Sequence, residues 1–211
     1  MENTAHEIAR NLLKINAIKL SPAQPFTWAS GWKSPIYCDN RKTLSYPMVR
    51  KLIYESFAKF IAEKYPDVEY IAGVATGAIA HGILVAECMN KAFIYVRAAP
   101  KSHGLTNLIE GNLPEGKKVV VIEDLISTGG SSLAAVEALR NAGANVLGLV
   151  AIFSYNFDAA QQNFDTANCQ CDTLSNYHVL IDEAITSGYV HKSDIETLQQ
   201  WRKSPSTWKQ S

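Results

Sequence analysis

The segment of residues 119–131 constrains the fold of this chain more than any other part of the sequence. It opens with four apolar residues, continues with the acids Glu123 and Asp124, and ends in a loop of serine, threonine and glycine. Such an apolar run is typical of a buried strand, and apolar positions at helical spacing follow from Leu133 onward. The segment therefore predicts a strand, a short loop and a helix, which is the unit that builds parallel sheets.

The same segment predicts a binding site for a sugar phosphate. Carboxylates suit ribose hydroxyls, and loop N–H groups at the positive end of a helix bind phosphate. The segment has neither the lysine of a Walker loop nor the three spaced glycines of a dinucleotide fingerprint. An ordinary strand-to-helix turn with a capping serine is the alternative. The candidate binding residues are Glu123, Asp124, Leu125, Ile126, Ser127, Thr128, Gly129, Gly130 and Ser131.

With its acids and its loop in register, the segment resembles the ribose-phosphate motif of the type I phosphoribosyltransferases. In that family the acids contact the ribose hydroxyls of phosphoribosyl pyrophosphate (PRPP), and the loop amides hold its 5′-phosphate. The resemblance implies an α/β fold in which a central parallel sheet is flanked by helices.

Elements in the rest of the chain agree with this fold. A capping box at Thr4 predicts a first helix, and Ser45 with Pro47 predicts the start of a second. Further on, we expect strands near residues 68–74, 93–96 and 146–153 and a helix near residues 80–89. The tail predicts helices, one of which opens with a capping box at residues 193–196.

We expect a single domain over residues 1–211, with a small hood over approximately residues 1–45 and a core over approximately residues 46–211. Residues 21–40 are rich in Pro, Ser, Gly and aromatic side chains, which favours short irregular strands in the hood.

Composition excludes several classes of function. The chain has 20 basic and 20 acidic residues, so no global field attracts it to nucleic acid or to an anionic membrane. No apolar run approaches the length of a membrane span and no signal peptide is present, so we expect a cytoplasmic protein. The four cysteines lack the spacing of a disulfide framework or a zinc site, which favours free thiols.

The apolar residues of 97–117 show neither helical nor strand periodicity. A segment of this length without a regular element in a compact domain is often a functional lid. Arg97, Lys101 and His103 are the candidate catalytic residues in it. Ribosyl transfer creates negative charge on departing pyrophosphate and requires exclusion of water, and a loop that carries cations meets both needs. A solvated surface loop is the alternative.

This loop and residues 30–41 most resemble the members of the family that use orotate as the acceptor base. The resemblance implies the first ring-to-nucleotide step of pyrimidine synthesis, with Mg²⁺ held mainly through PRPP. It also implies a homodimer whose loop closes over the neighbouring site. Ser127 and the main chain of Tyr37 and Cys38 would contact orotate.

The sequence departs from these relatives at three places. Many relatives carry a further lysine at the positions of Ala98 or Ala99, and some carry one in the turn at residues 75–79. Some hold the orotate carboxylate with an arginine at residues 154–156, where this chain has none. Arg41 and Lys33 remain the candidates to replace it.

Two other functions stay open. An enzyme of the same class acting on a purine or another pyrimidine would differ in the hood, which reads the base. A PRPP-sensing regulator that binds nucleic acid is opposed by the zero net charge and by the cationic loop. His81 could face pyrophosphate or pack at a helix start, whereas Trp28 and Trp32 favour packing within the hood.

Overall fold

The computed structural model describes residues 2–28, 30–99 and 108–209. The helices are α1 (Glu2–Lys14), α2 (Pro47–Lys64), α3 (Ile79–Met89), α4 (Gly130–Asn141), α5 (Asp158–Thr166), α6 (Tyr177–Thr186) and α7 (Ile195–Lys203). The strands are β1 (Ile18–Leu20), β2 (Phe26–Thr27), β3 (Lys33–Ser34), β4 (Ile36–Cys38), β5 (Tyr70–Val74), β6 (Ala92–Val96), β7 (Ile109–Glu110), β8 (Lys118–Ile126), β9 (Asn145–Ser154) and β10 (Cys171–Asn176). Short 3₁₀ helices span Asn40–Ser45 and Lys192–Asp194.

A six-stranded sheet in the order β10-β9-β8-β5-β6-β7 forms the centre of the fold. Its strands are parallel except β7, which runs antiparallel to β6. Val119 to Ile122 of β8 are fully buried, because separate apolar clusters cover the two faces of the sheet. The predicted α/β architecture is confirmed, and the connections bring the carboxyl ends of β5, β6 and β8 to one edge.

The segment between α1 and α2 forms two small antiparallel sheets, one of β1 with β4 and the other of β2 with β3. The side chain of Trp28 packs here against Tyr155 and Trp201 of the main body, and its Nε1 donates to the carbonyl of Ile36. These contacts hold β4 against the end of the large sheet.

Several predicted boundaries were wrong. Helix α1 begins before Thr4, and Tyr46, not Ser45, precedes α2. Strand β8 continues past the two acids to Ile126. Near the tail the capping box forms at His191 and Asp194, so α7 begins only at Ile195.

Two strands of the large sheet were not predicted. Strand β7 lies within the segment that lacks periodicity, and β10 lies in the tail, where only helices were expected. The sequence of β10 alternates weakly because most of its residues are only partly buried. The four cysteines are free thiols, as expected. In the described parts of the chain, no helix has both the length and the apolar character that crossing a bilayer requires.

Candidate functional site

A cleft of about 420 Å³ lies at the carboxyl edge of the large sheet. Residues 38–41, 74–77 and 123–125 line it together with Ser131. The cleft thus joins the segment after β4, the turn after β5, the end of β8 and the first turn of α4. Crevices at the carboxyl ends of parallel strands are the usual ligand sites of open α/β sheets.

The two acids of β8 have different environments because neighbouring strand residues point to opposite faces. Glu123 is 5% exposed and is held by two donors, the N–H of Asp124 at 3.0 Å and the hydroxyl of Ser132 at 2.8 Å. Asp124 is half-buried on the cleft wall. Both acids line the cleft, and Asp124 is the more exposed of the two.

Burial changes the proton affinity of both acids. Desolvation, followed by the charge of Asp124, raises the pKa of Glu123 to about 8. Desolvation also raises the pKa of Asp124, although the nearby charge of Arg41 opposes this change. A ligand that donates hydrogen bonds to both carboxylates would favour their ionised forms.

Asn40 connects the segment after β4 to the end of β8. Its side chain is buried, and Nδ2 donates to the backbone carbonyl of Asp124 at 2.6 Å. The thiol of Cys38 donates to Asn40 Oδ1 at 3.4 Å, and the hydroxyl of Thr43 donates to the Asn40 carbonyl. Sequence reasoning did not single out Asn40, because no local pattern reveals a partner 84 positions away.

The loop between β8 and α4 packs on its outer side against α5. Gly129 has φ 83°, and a β-carbon there would lie 2.6 Å from the ring of Phe164. Asn163 of α5 donates to the carbonyl of Thr128 at 2.9 Å and so fixes the loop from outside. Thr128 and Ser131 remain exposed, and the N–H groups of the first turn of a helix lack intrahelical partners. This arrangement can bind an anion.

The other predicted residues of the segment lie in different surroundings, and only one of them lines the cleft. Leu125 lines the cleft, whereas the side chain of Ile126 is buried and its carbonyl accepts from the N–H of Tyr155 at 3.1 Å. Gly130 begins α4 and is exposed. Ser127 is half-buried and is not among the residues that line the cleft.

The turn after β5 approaches Asp124 closely. A β-carbon at Gly77 would overlap the carboxylate of Asp124, so only glycine fits without displacing it. The N–H of Ala75 donates to the carbonyl of Val96 at 2.8 Å, which ties the turn to β6, and the Ala75–Thr76 peptide bond is cis. The turn carries no charge but offers backbone groups to the cleft.

Predicted residues of the hood meet the cleft in part. Cys38 lines it, and burial with nearby carboxylates raises the pKa of its thiol. Tyr37 is 40% exposed beside Phe26, and its side chain does not line the cleft. Arg41, which pairs with Asp39 at 2.7 Å, lines the cleft as well.

The predicted catalytic cations are only partly described. Arg97 follows β6 at the same edge of the sheet, and its Nη1 lies 3.6 Å from the carboxylate of Glu110 on β7. Arg97 is not among the residues that line the cleft. Lys101 and His103 lie outside the described residues.

His81 packs in the interior and does not line the cleft. Its Nε2 lies 2.9 Å from the hydroxyl of Thr43, whose single proton is donated to Asn40. Nε2 must therefore carry the ring proton. Burial and the charge of Arg50 lower the pKa of His81 to about 4, so the ring is neutral near pH 7.

Comparisons with known proteins agree with this geometry. Residues 42–187 match the phosphoribosyl transferase domain family. Over 208 residues the chain is 57% identical to the orotate phosphoribosyltransferase of Porphyromonas gingivalis, covering 99% of each chain. It is 50% identical to that of Enterococcus faecalis over 208 residues, again covering 99% of each. The crystal structure of orotate phosphoribosyltransferase from Aeropyrum pernix is similar in fold, with a TM-score of 0.76 and 23% identity over 87% of this chain and 99% of that one.

Proposed function

Since the chain belongs to the orotate phosphoribosyltransferases of the phosphoribosyl transferase domain family, we propose that the cleft is where it transfers the ribosyl 5-phosphate of PRPP to orotate. The products are orotidine 5′-monophosphate and pyrophosphate, in the synthesis of UMP. The observation that carries this proposal is the meeting of Asp124 and the Gly77 turn in one cleft beside the start of α4.

The donor sugar occupies the end of β8 in this proposal. The carboxylates of Glu123 and Asp124 accept hydrogen bonds from the ribose hydroxyls, and N–H groups of residues 127–131 hold the 5′-phosphate. As the bond to pyrophosphate breaks, positive charge develops on the ribose, and the nearby carboxylates stabilise it. Because Ser132 and the Asp124 N–H already hold Glu123, this stabilisation needs little reorganisation.

Pyrophosphate leaves toward the turn of residues 75–77 and the cations of the adjacent loop. Backbone groups of the turn contact its oxygens, and the absence of a side chain at Gly77 permits this approach beside Asp124. Arg97, Lys101 and His103 neutralise the charge that gathers on the leaving group. His103 can also donate a proton to it.

Orotate is held on the hood side of the cleft. Main-chain groups of Tyr37 and Cys38 contact the edge of the pyrimidine ring, and Ser127 lies near it in this arrangement. Two observations support this placement of orotate. Cys38 lies on the cleft wall, and the hydrogen bond from Asn40 to the Asp124 carbonyl holds this segment against β8.

Mg²⁺ fits this site as a companion of PRPP. Within the described ranges no group of three or more acidic, His or Cys side chains forms a metal cage, whereas one carboxylate of the cleft, that of Asp124, could contact a hydrated ion. Mg²⁺ usually keeps several waters and binds through one or two carboxylates plus substrate phosphates. When bound, it would neutralise charge on the pyrophosphate oxygens.

We also propose a homodimer in which the loop after β6 serves the neighbouring site. In support, Arg97 does not line the cleft of its own chain and instead lies near Glu110. Mixing an Arg97→Ala chain with an Asp124→Asn chain would restore activity through one intact site per heterodimer. Lack of restoration in a mixed dimer would contradict the shared site.

Ultraviolet absorbance of orotate, followed in the presence of PRPP and Mg²⁺, tests the reaction. We expect orotate consumption that depends on both, and no comparable use of hypoxanthine, guanine or uracil. Rapid use of a purine with orotate left unchanged would overturn the proposed substrate. Binding of nucleic acid without any turnover would favour a regulator.

A further inference from the structure

Orotate differs from uracil by a ring carboxylate, and a site that selects orotate must hold that anion. Removing a carboxylate from water without a partner is costly, so a cation or several N–H donors must face it. The need for such a partner in this chain rests on the proposed function.

Arg41 is the cation that the cleft offers to this carboxylate. Among the described residues that line the cleft, it alone is basic, and it shares the cleft with the acids Asp39, Glu123 and Asp124. The negative charges of Asp39 and Asp124 would repel the orotate carboxylate unless a cation stood beside it. Arg41 follows Cys38 by three positions, and Cys38 lies on the wall where the pyrimidine is expected.

The guanidinium of Arg41 is oriented and still accessible. Its Nε donates to Asp39 Oδ1 at 2.7 Å, while 64% of the side chain is exposed. Because a guanidinium carries five N–H donors and this contact uses one, the Nη groups remain able to form a two-bond contact with a carboxylate. Asp39 thus acts as a positioning residue for Arg41.

Other nearby cations are directed elsewhere. Lys33 donates to the hydroxyl of Thr27 at 2.9 Å, and Arg50 donates to the carbonyl of Leu44 at 2.6 Å. Neither lines the cleft.

The segment after β9 also offers no cation to the cleft. Tyr155 and Phe157 of that segment are buried, and Arg202 donates to the carbonyl of Asn156 at 2.6 Å beside a different cavity. Residues 154–157 therefore contribute packing and place no basic side chain in the cleft that is proposed to hold orotate.

We propose that Arg41, oriented by Asp39, binds the carboxylate of orotate and of orotidine 5′-monophosphate and so selects orotate over uracil. The two products to compare are orotidine 5′-monophosphate and uridine 5′-monophosphate, which differ only in this carboxylate. Their dissociation constants report the contact without requiring turnover.

We expect Arg41→Gln to weaken binding of orotidine 5′-monophosphate by about 10- to 150-fold, the loss of a charge-assisted hydrogen bond. Binding of uridine 5′-monophosphate and of PRPP should change little, so the parent's preference for the carboxylated nucleotide should disappear. Arg41→Lys should restore part of that preference, because it keeps the charge but not the paired donors. Lys42→Gln is the matched control, since Lys42 contacts the carbonyl of Asn16.

The other outcomes distinguish a failure of the Arg41 assignment from a failure of the proposed function. If the parent consumes orotate and Arg41→Gln keeps the full preference for the carboxylated nucleotide, the Arg41 assignment is wrong and the proposed function stands. If Arg41→Gln weakens the binding of both nucleotides and of PRPP equally, Arg41 contacts the ribose phosphate that they share. That result would also overturn the Arg41 assignment. If the parent does not consume orotate, the proposed function itself fails.

Discussion

The side-chain amide of Asn40 donates a 2.6 Å hydrogen bond to the backbone carbonyl of Asp124 and so joins the hood to the end of the central strand β8. Asn40 is 1% exposed, and its Oδ1 accepts from the thiol of Cys38. One buried amide therefore fixes the distance between the wall expected to hold the base and the acid expected to hold the sugar.

Replacing Asn40 with alanine should lower both stability and activity. The Asp124 carbonyl loses its donor, which costs about 1–3 kcal/mol of unfolding free energy when the group stays buried. We expect kcat/KM for orotate to fall more than stability alone explains, because both walls lose their alignment. Thermal unfolding and steady-state kinetics measure these effects. Asn11→Ala, which removes an exposed amide contact to the Glu7 carbonyl, is the control, and equal behaviour of both variants would contradict the tether.

Gly77→Ala should reduce turnover while the protein stays folded. A β-carbon there overlaps the Asp124 carboxylate, so the acid or the turn must shift, and a displacement of this size at a reacting centre costs on the order of 100-fold in rate. Kinetics together with circular dichroism test this expectation. A folded Gly77→Ala enzyme with the parent's turnover would show that the close approach has no role in catalysis.

Asp124→Asn should weaken PRPP binding as well as the rate. Loss of charge-assisted hydrogen bonds to ribose corresponds to about 1.5–3 kcal/mol, or roughly a 10- to 150-fold rise in the dissociation constant. Calorimetric titration with PRPP and Mg²⁺ measures it. Asp182→Asn on the exposed surface of α6 provides the control. Normal donor binding and turnover in Asp124→Asn would refute the ribose assignment.

Glu123 should make the free enzyme less stable as pH rises. Its pKa is about 8 in the fold against an ordinary value of 4.5, so between these values the folded state binds more protons than the unfolded state. Unfolding free energy therefore decreases with pH across this window, by at most about 1.4 kcal/mol per pH unit for one group. Glu123→Gln should flatten this decrease in denaturant titrations at pH 5 to 8. The same slope in both proteins would disprove the assignment of the proton to Glu123.

Lys101→Ala should reduce turnover by orders of magnitude and weaken PRPP binding much less. The proposed reason is that charge on pyrophosphate increases as it leaves, so the lysine matters most in the transition state. Single-turnover rates and PRPP titrations separate the two effects, with Lys14→Ala at the exposed end of α1 as control. Unchanged turnover in Lys101→Ala would exclude it from catalysis.

Local patterns accounted for those parts of the site that lie close together along the chain. The apolar run of β8, its two acids and the loop to α4 were predicted from consecutive residues, because strand burial and helix initiation depend on neighbours. Patterns of this kind missed β10, whose residues Cys171–Asn176 are mostly half-buried and include few apolar side chains. Its position is decided by parallel pairing with β9.

The sequence alone determined the strand, loop and helix of residues 118–141 and most of the other elements of the parallel sheet, since these depend on interactions within a few residues. Tertiary structure alone decided that Asn40 bonds to Asp124, that Gly77 leaves room for the Asp124 carboxylate, and that His81 is buried against Thr43. Contacts between distant segments leave no periodic signal. They arise only when the parallel strands align their carboxyl ends and the hood packs against that edge.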